Sequence, residues 1–316
     1  IRPDKSKIIP EYLYYYLKSD LGRLQIRREI TGQTAHLYPE EVREIKIVLP
    51  ENKKAQEKII EPIKRDIDLK TNNLKKSKLK LKELDTDIMK ILGLNLPEFK
   101  KEKIYLTKLN QDRIDALFNS KYFKKLVESI KSMSYKILSE LADERITPEP
   151  KSSEYYEVID LRKISDSTGR VTPIKTKKLN SAKISLIKNT LIINKLSPTK
   201  RKTIIIDDKL SNCVASTEFM VIEPKNKEDL KYILAMLRSE PIISQWYFQI
   251  TGSNPSRERI HKSLVMNTLI PFPEEKKRRE ISELQEGVVK LVIDSQDSLK
   301  IGLKESLNKF VINLIH

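Results

Sequence analysis

YLYYYLKS at residues 12–19 is answered by YILAMLRS at 232–239, an offset of 220. The same offset relates ITG at 30–32 to ITG at 250–252, and it becomes 223 for LPENKK at 49–54 against FPEEKK at 272–277. Upstream, IRPDK at 1–5 matches IEPKN at 222–226. Order and spacing kept over more than 50 residues define an internal repeat, the feature to seek before any single motif. A period near 220 in 316 residues leaves about 96 for the first copy. The chain therefore reads as one full unit plus the tail of another. The expected counterpart of roughly 100–221, about 120 residues, would precede Ile1.

Each copy runs into a heptad-patterned segment. After Leu49-Pro50 the apolar positions are Ile60, Ile63, Ile67, Leu74, Leu81, Leu84, Ile88 and Ile91, with Lys70 and Ser77 interrupting. Alternating steps of three and four keep one stripe of a helix facing a partner, and Gly93 supplies a stop. In the second copy the series is Ile281, Leu284, Val288 and Leu291, then Leu299, Leu303, Leu307, Phe310 and Leu314, weakened in the middle by Ser295 and Ser298. Both segments run about 35–40 residues, roughly 55 Å of helix. Matched lengths favour their pairing with each other over two separate amphipathic helices on globular cores.

Between them lies a mixed region. Segments 154–161, 185–196, 203–206 and 216–222 are rich in β-branched and aromatic residues and predict strands, while 113–141 and 227–249 predict helices. Prolines mark linkers at 95–103 and 147–153. The resulting partition is 1–50, 51–94, 95–273 and 274–316.

Composition removes several function classes. Of seven glycines no two are closer than ten residues, so neither a P-loop nor a glycine-rich dinucleotide fingerprint can be written. The Asn/Asp-Pro-Pro-aromatic signature of methyl transfer is also missing. Cys213 is the single cysteine, which excludes an internal disulfide and a multi-cysteine zinc site. His36, His261 and His316 are too scattered for a histidine-rich metal site, and no metal ligand is assigned. No apolar run approaches the ~18–20 residues of a membrane span, and no secretory signal opens the chain. No membrane association and a reducing, cytoplasmic location are the expectation.

Lys and Arg number 61 against 44 Asp and Glu, a net charge of +17. The excess is uneven. From Ser167 to Ile206 there are ten basic residues and no acid: Arg170, Lys175, Lys177, Lys178, Lys183, Lys188, Lys195, Lys200, Arg201 and Lys202. A solvated surface normally mixes both signs, so this block predicts a face that meets phosphate. A second candidate is the loop TGSNPSRERIHK at 251–262, with Ser253, Asn254, Arg257 and Arg259. Arg and Asn are the side chains that read guanine and adenine edges with two hydrogen bonds. In the first copy TGQTAHLYPEEV at 31–42 places Gln33, Thr34 and His36 there instead. A constant Thr-Gly frame with different polar tips suits two readers of different sequences. The tyrosines at 12–16 read as helix packing rather than a base-stacking platform, because their copy is Tyr-Ile-Leu-Ala-Met at 232–236.

This layout resembles the DNA specificity (S) subunit of type I restriction–modification systems. The similar stretches are YLYYYLKSDLGRLQIRREITGQTAHLYPEEVREIKIVLPENKKAQEKI at 12–59 and its copy at 232–281. LIINKLSPTKRKTII at 191–205, CVASTEFMVIEP at 213–224 and RIDALFNSKYF at 113–123 are similar too. The resemblance implies α/β (α+β) target-recognition domains joined by long helices that form an antiparallel coiled coil. That coil would space two half-sites of a bipartite target. The partners implied are double-stranded DNA, two methyltransferase (M) subunits and, in the full complex, restriction/translocase (R) subunits. Catalytic residues are not implied, and no cofactor: S-adenosylmethionine, magnesium and ATP would sit on partner chains. The departure is at the N-terminus, where only the last third of a first recognition domain stands. Competing readings are the specificity chain of a related type II restriction–modification system, a coiled-coil structural protein binding DNA nonspecifically, and a nuclease using acids such as Asp207 or Glu44.

Overall fold

A computed structural model describes residues 2–30, 36–98, 117–151, 153–179, 181–251 and 258–315. Along the chain the elements are α1 (Pro10–Lys18), α2 (Asp20–Glu29), α3 (Pro39–Arg43), α4 (Lys53–Leu92), α5 (Lys121–Lys131), β1 (Tyr135–Ile137), α6 (Leu138–Leu141), β2 (Ala142–Arg145), β3 (Tyr156–Ile159) and β4 (Ile174–Thr176). They continue as β5 (Lys183–Ser185), β6 (Leu191–Asn194), β7 (Ile204–Ile205), β8 (Val214–Ser216), β9 (Phe219–Pro224), α7 (Leu230–Leu237), α8 (Glu240–Tyr247), α9 (Lys262–Met266), β10 (Leu269–Pro271) and α10 (Glu275–Ile315). Two compact units result: Ile1–Lys80 with Lys290–His316, and Leu81–Val289.

In the first unit Ser19 ends one helix and starts the next. Its hydroxyl donates to the Tyr16 carbonyl at 2.6 Å and accepts from the Gly22 N–H at 3.3 Å, the usual service of a serine at a helix start. Tyr12 and Tyr16 are buried with Ile60, Ile63 and Phe310, and the Tyr12 and Phe310 rings lie 5.2 Å apart. Tyr12, Tyr15 and Tyr16 of the tyrosine run are thus helix packing, as the sequence copy predicts, while Tyr14 is exposed. The two phenol hydroxyls donate to main-chain carbonyls, Tyr12 to Val48 at 2.7 Å and Tyr16 to Lys46 at 2.9 Å. Gln25 grips the Lys46 main chain with both ends of its amide, at 2.8 and 2.9 Å.

Here the long helices pair antiparallel. The Ser306 hydroxyl reaches the Asp66 carboxylate at 3.4 Å, and four residues back along α10 the Lys70 side chain crosses Gly302, where a β-carbon would collide with it. Rising numbers on one helix meet falling numbers on the other. Lys70 and Ser77 do not leave the seam: Lys70 is half-buried and Ser77 buried. On α10 the expected position Leu291 is 41% exposed, and Val292 at 1% faces inward instead. The inward steps from Ile281 fall on Gln285, Val288 and Val292, and Leu284 packs partly buried against the same core as Val288, so it is Leu291 that leaves the seam.

The second unit is built around the antiparallel sheet β2-β9-β6-β7. Alternate residues of a strand face opposite sides, and here both sides are covered. Leu191, Ile193, Met220 and Ile222 face α5, α7, α8 and the α4 residues Leu84, Ile88 and Leu92. Ile192, Phe219 and Val221 face a second core with Ile159 and Ala215. Those last two belong to the sheet β4-β3-β8-β5, in which β3 and β8 run parallel. A two-stranded ribbon, β1 with β10, completes the unit.

Several expected elements are shorter than predicted. Within 113–141 the helix ends at Lys131, and Tyr135–Ile137 gives its backbone to β10; residues 113–116 lie outside the described ones. The 227–249 helix is broken at Ser239, where Pro241 in the first turn of α8 cannot continue a preceding helix. The 185–196 strand is interrupted by a turn in which Asn189 takes φ 60°. Segment 216–222 splits between β8 and β9, while 154–161 and 203–206 shrink to β3 and β7.

The internal repeat survives as hardware. Tyr232 donates to the Pro271 carbonyl, as Tyr12 does to that of Val48. Gln245 grips the Leu269 main chain at 2.8 and 3.0 Å, as Gln25 does Lys46, and the Ser239 hydroxyl donates to the Met236 carbonyl at 2.7 Å. Tyrosine and glutamine are 220 apart between copies and their main-chain partners 223. The difference of three residues falls between Gln25 and Lys46. No helix among the described residues is long and apolar enough to cross a membrane.

Candidate nucleic-acid interface

Asn194, buried at the end of β6, starts the basic loop. Its side-chain oxygen accepts the Leu196 N–H at 3.1 Å and its amide donates to the Leu196 carbonyl, a side-chain turn of the kind asparagine favours. The chain then passes through Ser197 and Arg201, both left-handed at φ 52° and 54°. Such conformations cost non-glycine residues on the order of 1–3 kcal/mol each and persist only where surrounding contacts hold them.

The same loop is sewn to the Thr-Gly loop. Ser197 N–H donates to the Glu258 carbonyl at 2.8 Å, and Ile260 N–H to that of Lys195 at 3.0 Å. Thr251 and Arg259 exchange two main-chain hydrogen bonds, at 2.8 and 2.9 Å, which closes the base of the loop. The two segments singled out separately in the sequence therefore form one edge. The tips that carry Ser253, Asn254 and Arg257, like Gln33 and Thr34 of the first copy, lie outside the described residues. His36 is exposed, 6.3 Å from the Tyr38 ring.

Charge at this edge is mixed and tightly packed. Arg259 holds Glu218 with two bonds, at 2.9 and 3.3 Å, and this pairing keeps the Glu218 carboxyl below its usual range. Lys195 donates to the Thr217 carbonyl at 2.9 Å. Burial, and then repulsion from Lys262, pull its ammonium pKa down, against the attraction of Glu218 and Glu144. Lys262 itself pairs with Glu144.

The remaining cations of the acid-free block meet different fates. Lys175 faces Glu157 across β3 and β4 at 3.7 Å, and Lys188 meets Asp208 at 2.6 Å. Lys177 lies over the exposed Tyr155 ring at 5.2 Å, while Lys178 and Arg170 are exposed. Lys202 is tied to Asp166 at 3.0 Å and to the Leu161 carbonyl at 2.7 Å. Arg201 is paired with Asp85 and Glu240. Within the triplet at 200–202, Lys200 is the exposed member without an ion pair among the described residues. Acids absent from the block thus arrive from elsewhere in the chain.

The acids considered for nuclease chemistry have ordinary roles here. The Asp207 carboxylate caps a turn, accepting the Lys209 and Leu210 N–H groups at 3.1 and 3.0 Å, and Glu44 is exposed at the end of α3. Cys213 is buried, and burial with nearby Glu157 pushes its thiol up to about 11.

Fold and site together define a class: an α+β domain whose loops join into one lysine- and arginine-bearing edge, in a chain with an antiparallel pair of long helices. Counterparts of this fold occur in type I restriction–modification systems. A chain solved in work on the structural basis of complex assembly and conformational transition of the type I R-M system matches with a TM-score of 0.53 at 14% identity, over 99% of this chain and 73% of that one. The S subunit of the type I restriction–modification system of M. genitalium matches at 0.48 and 14% identity, over 97% and 74%. The HsdS subunit of Thermoanaerobacter tengcongensis matches at 0.36 and 16%, over 98% and 72%. The shared fold rests on the first of these. No family model and no curated protein matches the chain.

Proposed function

We propose that the chain is a non-catalytic DNA specificity subunit of a type I restriction–modification complex. It reads half-sites of a bipartite double-stranded target and docks M subunits, two in the full assembly, with R subunits joining them. Its partners carry S-adenosylmethionine, magnesium and ATP. The observation that supports this reading best is the sewing of Lys195–Ser197 to Glu258–Ile260. Phosphate-attracting cations and the base of a loop tipped with Ser, Asn and Arg then lie side by side, which suits simultaneous backbone and base-edge contact.

Selection from a randomised duplex library tests it. The protein should enrich one short motif, and Asn254→Ala or Arg257→Ala should relax one position of it by about 1–3 kcal/mol. Lys200→Ala should weaken every duplex alike and flatten the log–log salt dependence by about 0.9 for each phosphate no longer neutralised. Equal affinity for all duplexes would overturn the reading in favour of nonspecific binding.

A further inference from the structure

Arg201 belongs to the basic loop by sequence, yet its guanidinium points into the protein. One arm meets the Asp85 carboxylate near the end of α4 at 2.6 Å, the other the Glu240 carboxylate at the start of α8 at 2.7 Å. The second Asp85 oxygen accepts the Glu240 N–H at 2.9 Å, so one acid from α4 both holds the loop and caps α8. On the main-chain side Arg238, only 6% exposed, donates to four carbonyls: Arg201 at 2.5 Å, Thr203 at 3.2 Å, Asp166 at 3.2 Å and Ser167 at 2.8 Å. Gly169 makes room for it, since a β-carbon there would lie 2.8 Å from the Arg238 Nη1 on a backbone at φ 72°. A cavity of about 580 Å³, lined by Leu84, Asp85, Asp166, Lys200, Arg201 and Arg238 among others, lies between the loop and α4. Across that space Arg201 reaches α4 through its ion pair with Asp85, while Pro198 of the same loop is buried.

We propose that Arg201, Asp85 and Glu240 form a positioning clamp. It sets the angle at which the loop Lys195–Lys202, and the base of the Thr-Gly loop sewn to it at Glu258–Ile260, stand against the last turns of α4. Sequence discrimination depends on the clamp and phosphate attraction does not. The inference rests on the proposed DNA-reading function. Phosphate contacts contribute alike to every duplex, whereas base-edge contacts need donors already in place. A loop released from α4 keeps its charge but spends only a fraction of its time at the reading angle, and apparent affinity for the correct sequence falls by that fraction.

Arg201→Lys and Asp85→Asn test this. Lysine keeps the charge but lacks the fork that bridges two carboxylates. Binding is measured to the duplex that the wild type enriches from a random library and to a scrambled duplex of the same composition, with hydrogen exchange at Arg201–Thr203 as a structural readout. Both variants should bind the enriched duplex about tenfold or more weakly, stay within about twofold on the scrambled one, and exchange faster. Lys200→Ala, by contrast, should weaken both duplexes equally. Wild-type preference in Arg201→Lys would overturn the clamp. So would equal weakening on both duplexes, which would make Arg201 a plain phosphate ligand. A wild type that enriches nothing would instead overturn the functional reading, and the inference with it.

Discussion

Gln25 and Gln245 do what a carboxamide does well and no other side chain of the same length matches. Each offers one donor and one acceptor to a single residue's main chain, and so fixes the segment entering a long helix. Gln245 is 1% exposed, so Gln245→Ala would leave the Leu269 N–H and carbonyl without their partners in a dry site. Unmet buried groups of this kind cost about 1–3 kcal/mol each. The expected destabilisation is about 3 kcal/mol in urea denaturation, with faster hydrogen exchange at Leu269. Gln25→Ala, beside the exposed Lys46, should cost about 1 kcal/mol. Neither role is legible in the sequence, because the partner is backbone and leaves no side-chain signature. The place of Arg201 is hidden for a related reason. Counting acids in a forty-residue window cannot see Asp85, 116 positions away.

At the scale of elements, apolar periodicity serves well on α4 and less well on α10. The α4 seam can be written residue by residue, and Ile60, Ile63, Leu84 and Ile88 are buried where it runs. On α10 the innermost positions include Gln285, Gly302 and Ser306. Tracking apolar side chains therefore drifts one step, to Leu291. The 113–141 expectation fails differently. Helical spacing continues through Met133, Ile137 and Leu141, but strand pairing with β10 claims the backbone. Phe310 shows how much a correct position carries, being fully buried between Tyr12 and Tyr16. Phe310→Ala should cost about 3–5 kcal/mol. Hydrogen exchange should accelerate in α1 while β6 and β9, with separate cores, keep their protection.

For the whole molecule, net charge would set the strength of the proposed attraction to nucleic acid but not which cations deliver it. Structure sorts them: Lys178 and Lys200 are exposed without ion pairs among the described residues, and Lys177 lies over an aromatic face. Replacing these three by glutamine should flatten the salt dependence of nonspecific duplex binding by up to about 3 in log–log slope, read by anisotropy titration across salt. Thermal stability should stay within about 0.5 kcal/mol. The repeat is the most legible large-scale feature, because it needs only order and spacing. Its one irregularity has a bearing of its own. The change from 220 to 223 lies wholly between the glutamine and the main chain it grips, in the stretch that includes the Thr-Gly loop. That three-residue difference leaves the tyrosine and glutamine hydrogen bonds of the frame in place in both copies. The scaffold can thus tolerate a changing loop length much as an antibody framework tolerates its hypervariable loops, and new recognition need not await a new fold.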